Sequence, residues 1–208
     1  MTMSPSSVQS TSRAQITVVQ GDIVRQFDCD AIVNSANEYL IAGGGVCGAI
    51  YRAAGRELEP HTKRLAPLGL GESVISPGFE LTARWIIHTR GPKYHTDPDP
   101  PRHLAQALES AISLADQNRV TRLAVPAISM GIYGYPVEEA VPILVEKALV
   151  LSSAVNHLKE IRFVLFESAL CDLFERTLRG LLEPVDDGSP SKSLHSDCLL
   201  YTSPSPRD

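Results

Sequence analysis

Residues 32–50 read IVNSANEYLIAGGGVCGAI and pass from a strand through a glycine-rich loop into a helix. The β-branched start predicts a strand that ends near residue 37. Three consecutive glycines at 43–45 allow positive φ and a close approach of the backbone to a ligand. The unpaired amides of the next helix point toward negative charge, so the stretch is a candidate anion-binding loop.

A second segment, residues 123–136, reads LAVPAISMGIYGYP and repeats the order of strand, loop and helix. Pro136 suits the first helical turn, and Glu138 and Glu139 suit the positive end of the helix dipole. Single glycine-rich turns are common as plain connectors, so the prediction depends on the two loops occurring together. Two loops at one sheet edge match a diphosphate, which predicts a nucleotide diphosphate-sugar as ligand.

Outside these loops, short β-branched runs alternate with helical spacing of apolar residues. The strand pattern occurs six times, at residues 16–19, 31–33, 73–76, 85–89, 123–125 and 161–166. The helical pattern occurs five times, at residues 46–54, 57–65, 102–117, 137–152 and 168–182. Continuous apolar runs such as FVLF at 163–166 suit strands that are buried on both faces, so we expect an α/β layer sandwich.

The length of 208 residues suits one domain with tails. We expect a disordered N-terminal tail at 1–15, a domain at 16–182 and a disordered C-terminal tail at 183–208. The second tail is rich in Asp, Gly, Ser and Pro without periodicity. Its last ten or so residues are hypothesised to be an appended or misread segment. Intact-mass measurement of the protein from its source would reject that hypothesis if it found those residues.

Composition narrows the class of partner. The formal net charge is -5 and no basic run is present, which disfavours extended DNA or RNA. The four cysteines, at positions 29, 47, 171 and 198, lack CxxC or zinc-type spacing, so we expect reduced thiols and no metal. No signal-peptide core or apolar run of membrane-spanning length occurs. We therefore expect a monomeric cytoplasmic protein without membrane contact.

Six motifs in order give the chain a family resemblance. They are QGDI at 20–23, VNSAN at 33–37, GGGVCGAI at 43–50, RAAG at 52–55, IHT at 87–89 with GP at 91–92, and SMGIYG at 129–134. Together they resemble the macrodomain family over residues 16–182. The resemblance implies a three-layer α/β/α sandwich with a mixed sheet of about six strands, ADP-ribose as ligand and no cofactor. The similarity is strongest to the branch that hydrolyses mono-ADP-ribose and O-acetyl-ADP-ribose.

The resemblance assigns the adenine end of the site to three residues. Asp22 would accept the exocyclic amino group of adenine, and Ile23 would supply a backbone amide. Without the family resemblance, an Asp in an ordinary turn would be the favoured interpretation, and the resemblance reverses this. Phe166 would pack on adenine, with a place in the hydrophobic core as the alternative.

The resemblance also assigns the ribose and diphosphate contacts. Asn37 would hydrogen-bond the distal ribose and is the first candidate catalytic residue. Tyr133 would cap that ribose with its ring, or else clamp the loop to the helix. The contacts made mainly through backbone atoms would come from Gly44, Gly45 and Val46 on one loop and Ser129, Gly131 and Ile132 on the other.

Two positions depart from the family pattern. Cys47 stands where many of these hydrolases carry an Asp that activates water, and Tyr51 stands where a His is common. Cys47 is the second candidate catalytic residue, although no His partner is near it in sequence and a packed small residue is the simpler interpretation. Asn34 and His88 are interpreted as structural, Asn34 at a turn and His88 in the core.

Three functions follow as hypotheses. The leading one is hydrolysis of ADP-ribose esters, either on acidic side chains of proteins or in O-acetyl-ADP-ribose, by attack of water near the distal ribose. The second is a non-catalytic module that binds ADP-ribose or ADP-ribosylated proteins, which Cys47 favours. The third is regulation of an RNA-processing enzyme through protein contact.

Overall fold

A computed structural model describes residues 13–183. The strands are β1 (Gln15–Gln20), β2 (Ala31–Ser35), β3 (Ser73–Pro77), β4 (Trp85–Thr89), β5 (Arg122–Val125) and β6 (Glu160–Leu165). The helices are α1 (Gly45–Ala54), α2 (Leu58–Thr62), α3 (Pro100–Gln117), α4 (Val137–Leu151) and α5 (Ser168–Leu182). Two 3-10 turns, Ile23–Arg25 and Lys63–Leu65, complete the regular structure of this part.

The six strands form one mixed sheet in the order β1-β6-β5-β2-β4-β3. Strand β3 pairs antiparallel with β4, and every other pair is parallel. Because β6, β5 and β2 are parallel neighbours, their carboxyl ends meet at one edge of the sheet. The predicted mixed sheet is confirmed, and both glycine-rich loops leave from this edge.

Helices cover both faces of the sheet, which confirms the three-layer sandwich. Helices α3, α4 and α5 pack on one face, and α1 and α2 pack on the other. Strand β2 shows why, since Ala31 and Val33 face the first core and Ile32 faces the second. Among residues 13–183, no helix is both long and apolar enough to cross a bilayer.

The predicted elements need three corrections. The helix predicted at 57–65 divides into α2 and the following 3-10 turn. Pro136 is the N-cap of α4 and precedes the first turn, although both glutamates do lie in that turn. The predicted N-terminal tail ends too late, because Gln15 begins β1 and the amide of Ala14 donates to the Ser152 carbonyl oxygen at 2.8 Å. The rest of both predicted tails, including Cys198 and the hypothesised appended segment, lies outside the described residues.

Candidate functional site

An open cleft of about 820 Å³ lies over the carboxyl ends of β2, β5 and β6. Its walls are the glycine-rich loop before α1, the second loop before α4, and the junction between β6 and α5. All twelve residues that the sequence nominated line this cleft: Asp22, Ile23, Asn37, Gly44, Gly45, Val46, Cys47, Ser129, Gly131, Ile132, Tyr133 and Phe166. Segments distant in sequence therefore meet in one site.

The β6 end of the cleft carries Asp22 and Phe166. Phe166 is 82% exposed, so the alternative that placed it in the core is wrong. Strand β6 ends at Leu165, and the next residue has left the buried sheet. Asp22 accepts the amide of Val24 at 3.1 Å through Oδ1, which caps the 3-10 turn. Its Oδ2 remains available to a ligand donor, because a carboxylate accepts through both oxygens.

The loop before α1 presents unpaired backbone donors. Gly44 is the N-cap of α1 without a side-chain cap, and Gly45 has φ 56°. The amides of residues 44–47 have no hydrogen-bond partner among the described residues. They lie at the positive end of the α1 dipole, with no acidic side chain in its first turn. The loop is therefore suited to an anion.

The loop before α4 presents a second set of donors. Its shape is held by the amide of Tyr135, which donates to the Ser129 carbonyl oxygen at 3.0 Å, and by Ser129 itself, with φ 64°. In the described part of the chain, the amides of residues 131–133 have no acceptor. Successive unpaired amides form a concave anion site. The two loops approach each other closely, since a Cβ added at Gly44 would lie 2.7 Å from Ile132 Cδ1.

Asn37 lies at the β2 end of the cleft, and its amide is already engaged. Its Nδ2 donates to the Ile41 carbonyl oxygen at 2.7 Å. Its Oδ1 accepts from the amides of Tyr39 and Ile41 at 3.2 and 3.3 Å. One Nδ2 hydrogen remains, so Asn37 can act toward a ligand as a donor. Sequence reasoning missed this second role, because it depends on how the loop closes.

Cys47 packs in the wall of the cleft as a buried thiol. Its Sγ lies 3.8 Å from Asn34 Nδ2 and 3.7 Å from the Ile41 carbonyl oxygen. Burial raises the pKa of Cys47 above its usual value, which keeps the thiol protonated near neutral pH. No imidazole or carboxylate within residues 13–183 hydrogen-bonds to it. The geometry favours a packing role over a nucleophile.

Asn34 and His88 form a buried polar cluster beneath Cys47. Asn34 lies within β2 rather than at a turn, and its Nδ2 is 3.0 Å from His88 Nδ1. His88 Nε2 is 2.9 Å from Ser76 Oγ. Burial lowers the pKa of His88 to about 3, so the ring is neutral. The prediction of a core histidine is confirmed, but the turn interpretation of Asn34 is wrong because its partner belongs to the neighbouring strand.

Two tyrosines hold the loops at this end. Tyr133 is half-buried, and its hydroxyl donates to the Ala36 carbonyl oxygen at 3.5 Å, which supports a clamping role. Tyr51 is buried in α1 and donates to the Leu40 carbonyl oxygen at 2.7 Å. Tyr51 therefore supports the loop after β2 from below and does not line the cleft.

Comparison with known proteins identifies the family to which this fold and cleft belong. Residues 33–144 match a family model described as Macro domain. A macro domain-containing protein of Streptomyces coelicolor is 40% identical over 169 residues, which are 78% of this chain and 98% of that protein. The chain belongs to the macro domain family.

Two further relatives of this macro domain carry more specific descriptions. The ADP-ribose glycohydrolase MACROD2 of Xenopus laevis is 41% identical over 135 residues, which are 64% of this chain and 32% of that protein. A mutant macrodomain of Oceanobacillus iheyensis solved with ADPR superposes with a TM-score of 0.80 at 32% identity. That match covers 84% of this macro domain and 97% of the solved chain.

The macro domain cleft also contains residues that the sequence did not nominate. Glu167 and Leu170 line its β6 end, beside Phe166. The junction of β6 and α5 has the same order of strand, loop and helix as the two glycine-rich segments. It contains no glycine, so a search for glycine-rich loops does not identify it. Among residues 13–183, no cluster of three or more His, Cys, Asp or Glu side chains could hold a metal ion.

Proposed function

We propose that this macro domain binds ADP-ribose in the cleft and hydrolyses ADP-ribose esters. The observation that carries the proposal is the pair of loops with unpaired amides at the carboxyl ends of β2 and β5. Each set can take one phosphoryl group of a diphosphate. The relative from Oceanobacillus iheyensis that was solved with ADPR supports the same ligand.

The length of the cleft supports this assignment. Neighbouring strands lie about 4.8 Å apart, so β6 and β2, which flank β5, are separated by about 10 Å. Adenine would lie over β6 against Phe166, with its amino group on Asp22. The diphosphate would lie between the loops, and the distal ribose would reach Asn37. A mononucleotide would leave the β2 end empty.

The proposed reaction is hydrolysis of the ester at the distal ribose. Water attacks the acyl carbon, the tetrahedral intermediate collapses, and the ribose oxygen leaves and takes up a proton. The products are ADP-ribose and a carboxylic acid. Asn37 would orient the ribose with its remaining hydrogen, and the loops would hold the diphosphate so that a phosphate oxygen positions the water.

A non-catalytic ADP-ribose-binding module is the second candidate, favoured by the chemistry around Cys47. The carboxylates that line the cleft are Asp22 and Glu167, and both lie at the β6 end. At the β2 end the cleft lining contains neither a carboxylate nor an imidazole within the described residues. A positioned general base typically contributes about 10²–10⁴-fold to a rate, so the reaction proposed above would be slow.

Calorimetry and a hydrolysis assay test the proposal in turn. ADP-ribose should bind more tightly than AMP, because only ADP-ribose engages both loops and the β2 end. Equal affinities would contradict the assignment of the loop before α4. Loss of label from a protein modified on Asp or Glu then separates the two candidates, since a binding module would leave the label in place.

A further inference from the structure

The loop that follows β2, residues 38–42, carries apolar side chains in solvent. Tyr39 is 63% exposed and Ile41 is 36% exposed. They lie between Asn37 and Gly43, both of which line the cleft. Two other large exposed apolar side chains, Ile132 and Phe166, line the cleft itself. We call Tyr39 and Ile41 the rim pair.

The rim pair stands on a loop that is anchored from within. Leu40, between the two, is fully buried and packs with Ala36 and Leu68. Its carbonyl oxygen accepts from the hydroxyls of Tyr51 and Thr62, each at 2.7 Å. The buried side chain of Leu40 and the two hydrogen bonds to its carbonyl oxygen hold the backbone between the two exposed residues.

Asn37 and Glu59 anchor the loop a second time. The Asn37 amide holds both backbone groups of Ile41 and the amide of Tyr39. The amide of Ala42 donates to Glu59 Oε2 at 3.3 Å. These contacts hold the backbone in the conformation that presents the rim pair to solvent. Their apolar area stays in water, at roughly 25 cal/mol for each Å² that a partner would cover.

The place of the rim pair indicates what would cover it. A ligand that begins at β6 and crosses β5 ends at Asn37, whose Oδ1 accepts the backbone amides of both residues of the rim pair. A group esterified to the distal ribose would therefore emerge beside the rim pair. An acetyl group has two carbons and cannot cover two large side chains, whereas a polypeptide can.

We propose that the rim pair is the contact surface for the polypeptide that carries the ADP-ribose in a modified protein. This inference rests on the proposed function, because it takes the distal ribose to lie at Asn37. Tyrosine and large apolar side chains are the residue types that dominate the binding energy of protein interfaces. The polypeptide would gain affinity here without changing how ADP-ribose itself is held.

The test compares two ligands on one double variant, Tyr39→Ser with Ile41→Ser. The probes are free ADP-ribose and a peptide that carries ADP-ribose through a hydrolysis-resistant amide in place of the ester. Truncating two interface contacts should weaken peptide binding roughly tenfold. The affinity for free ADP-ribose should stay within about twofold of the parent, since neither side chain lines the cleft. Phe27→Ser is the matched control, because Phe27 is 67% exposed and lies outside the cleft.

The outcomes separate this inference from the function on which it rests. A loss confined to the peptide supports the rim pair as a polypeptide surface. Unchanged peptide affinity, an equal loss for both ligands, or the same loss in Phe27→Ser would overturn it while ADP-ribose binding stands. Absence of ADP-ribose binding in the parent protein would remove the proposed function and the inference together.

Discussion

Substitutions of Cys47 distinguish the hydrolase hypothesis from the hypothesis of a non-catalytic binding module. Its buried thiol faces a donor, Asn34 Nδ2, which could stabilise a carboxylate in the same place. Cys47→Asp should therefore raise turnover about tenfold or more, as a new general base, with little change in ADP-ribose affinity. Single-turnover assays on a modified protein, with calorimetry in parallel, would measure both quantities.

Cys47→Ala is the companion variant and should keep most of the parent activity. A thiol with a raised pKa supplies little thiolate near neutral pH, so its removal costs the reaction little. A loss of more than about 100-fold with intact binding would favour a thiolate nucleophile over attack by water.

Asp22 caps the 3-10 turn and is proposed to contact adenine, and one pair of substitutions can separate these two roles. Asp22→Asn keeps an oxygen to cap the Val24 amide, whereas Asp22→Ala removes it. Both variants should weaken the binding of ADP-ribose by about 1–3 kcal/mol, because the exocyclic amino group of adenine loses its carboxylate acceptor. Only Asp22→Ala should lower the melting temperature. Calorimetry that found full affinity in both would contradict the adenine contact.

Single residues show where sequence reasoning stopped. The motif order placed the residues of the two glycine-rich loops in one cleft, because strand ends and glycines are encoded locally. The pattern could not place Phe166, since the last residue of an apolar run is equally suited to the core and to solvent. Nor could it find the contact of Asn34 with His88, which are 54 residues apart and meet only when β2 pairs with β4.

At the scale of elements, the start of α1 gives a test of the diphosphate position. Gly45 has positive φ and open space where a side chain would stand, so Gly45→Glu and Gly45→Gln should be equally strained. The acidic variant should be at least as stable, because negative charge suits a helix N-terminus. It should nevertheless bind ADP-ribose more than about tenfold more weakly than the Gln variant, since it repels the diphosphate.

Thermal unfolding and calorimetry on this isosteric pair separate charge from volume. Equal affinities of the two variants would place the diphosphate away from the loop before α1. Equal failure of both to fold would instead show that the backbone at Gly45 tolerates no side chain.

The elements themselves were the most predictable level of the fold. Alternation and helical spacing located the six strands and five helices of residues 13–183, because each pattern records which face is buried. The predicted boundaries were wrong where long-range contacts, and not the local sequence pattern, determine where an element begins or ends. Ala14 is held by Ser152, far along the chain, and the 3-10 turn after α2 has no periodicity of its own to mark it.

For the molecule as a whole, His88 predicts a dependence of stability on pH. In the unfolded chain His88 takes up a proton near pH 6.5, whereas burial in the folded chain lowers the pKa of its ring to about 3. The unfolded state therefore binds more protons between these values, and stability falls as the pH drops through this window. The contribution of His88 is complete above about pH 6.5.

The variant His88→Gln should flatten this dependence. Melting temperatures measured from pH 7 to pH 4 should fall less steeply in His88→Gln than in the parent, whatever their values at pH 7. Equal slopes in the parent and His88→Gln would contradict burial of a neutral ring.

Strand β1 is the first strand of the described residues to be synthesised, and its partner in the sheet, β6, is the last. It pairs only with β6, and its Thr17 hydroxyl reaches Glu160 across 143 residues. A ribosome that adds about 5–20 residues per second needs on the order of 10 s to supply that partner. During this time the chain lacks Phe166, so the β6 end of the cleft is incomplete. A newly made chain therefore cannot form the proposed ADP-ribose site until β6 and the residue that follows it have been synthesised.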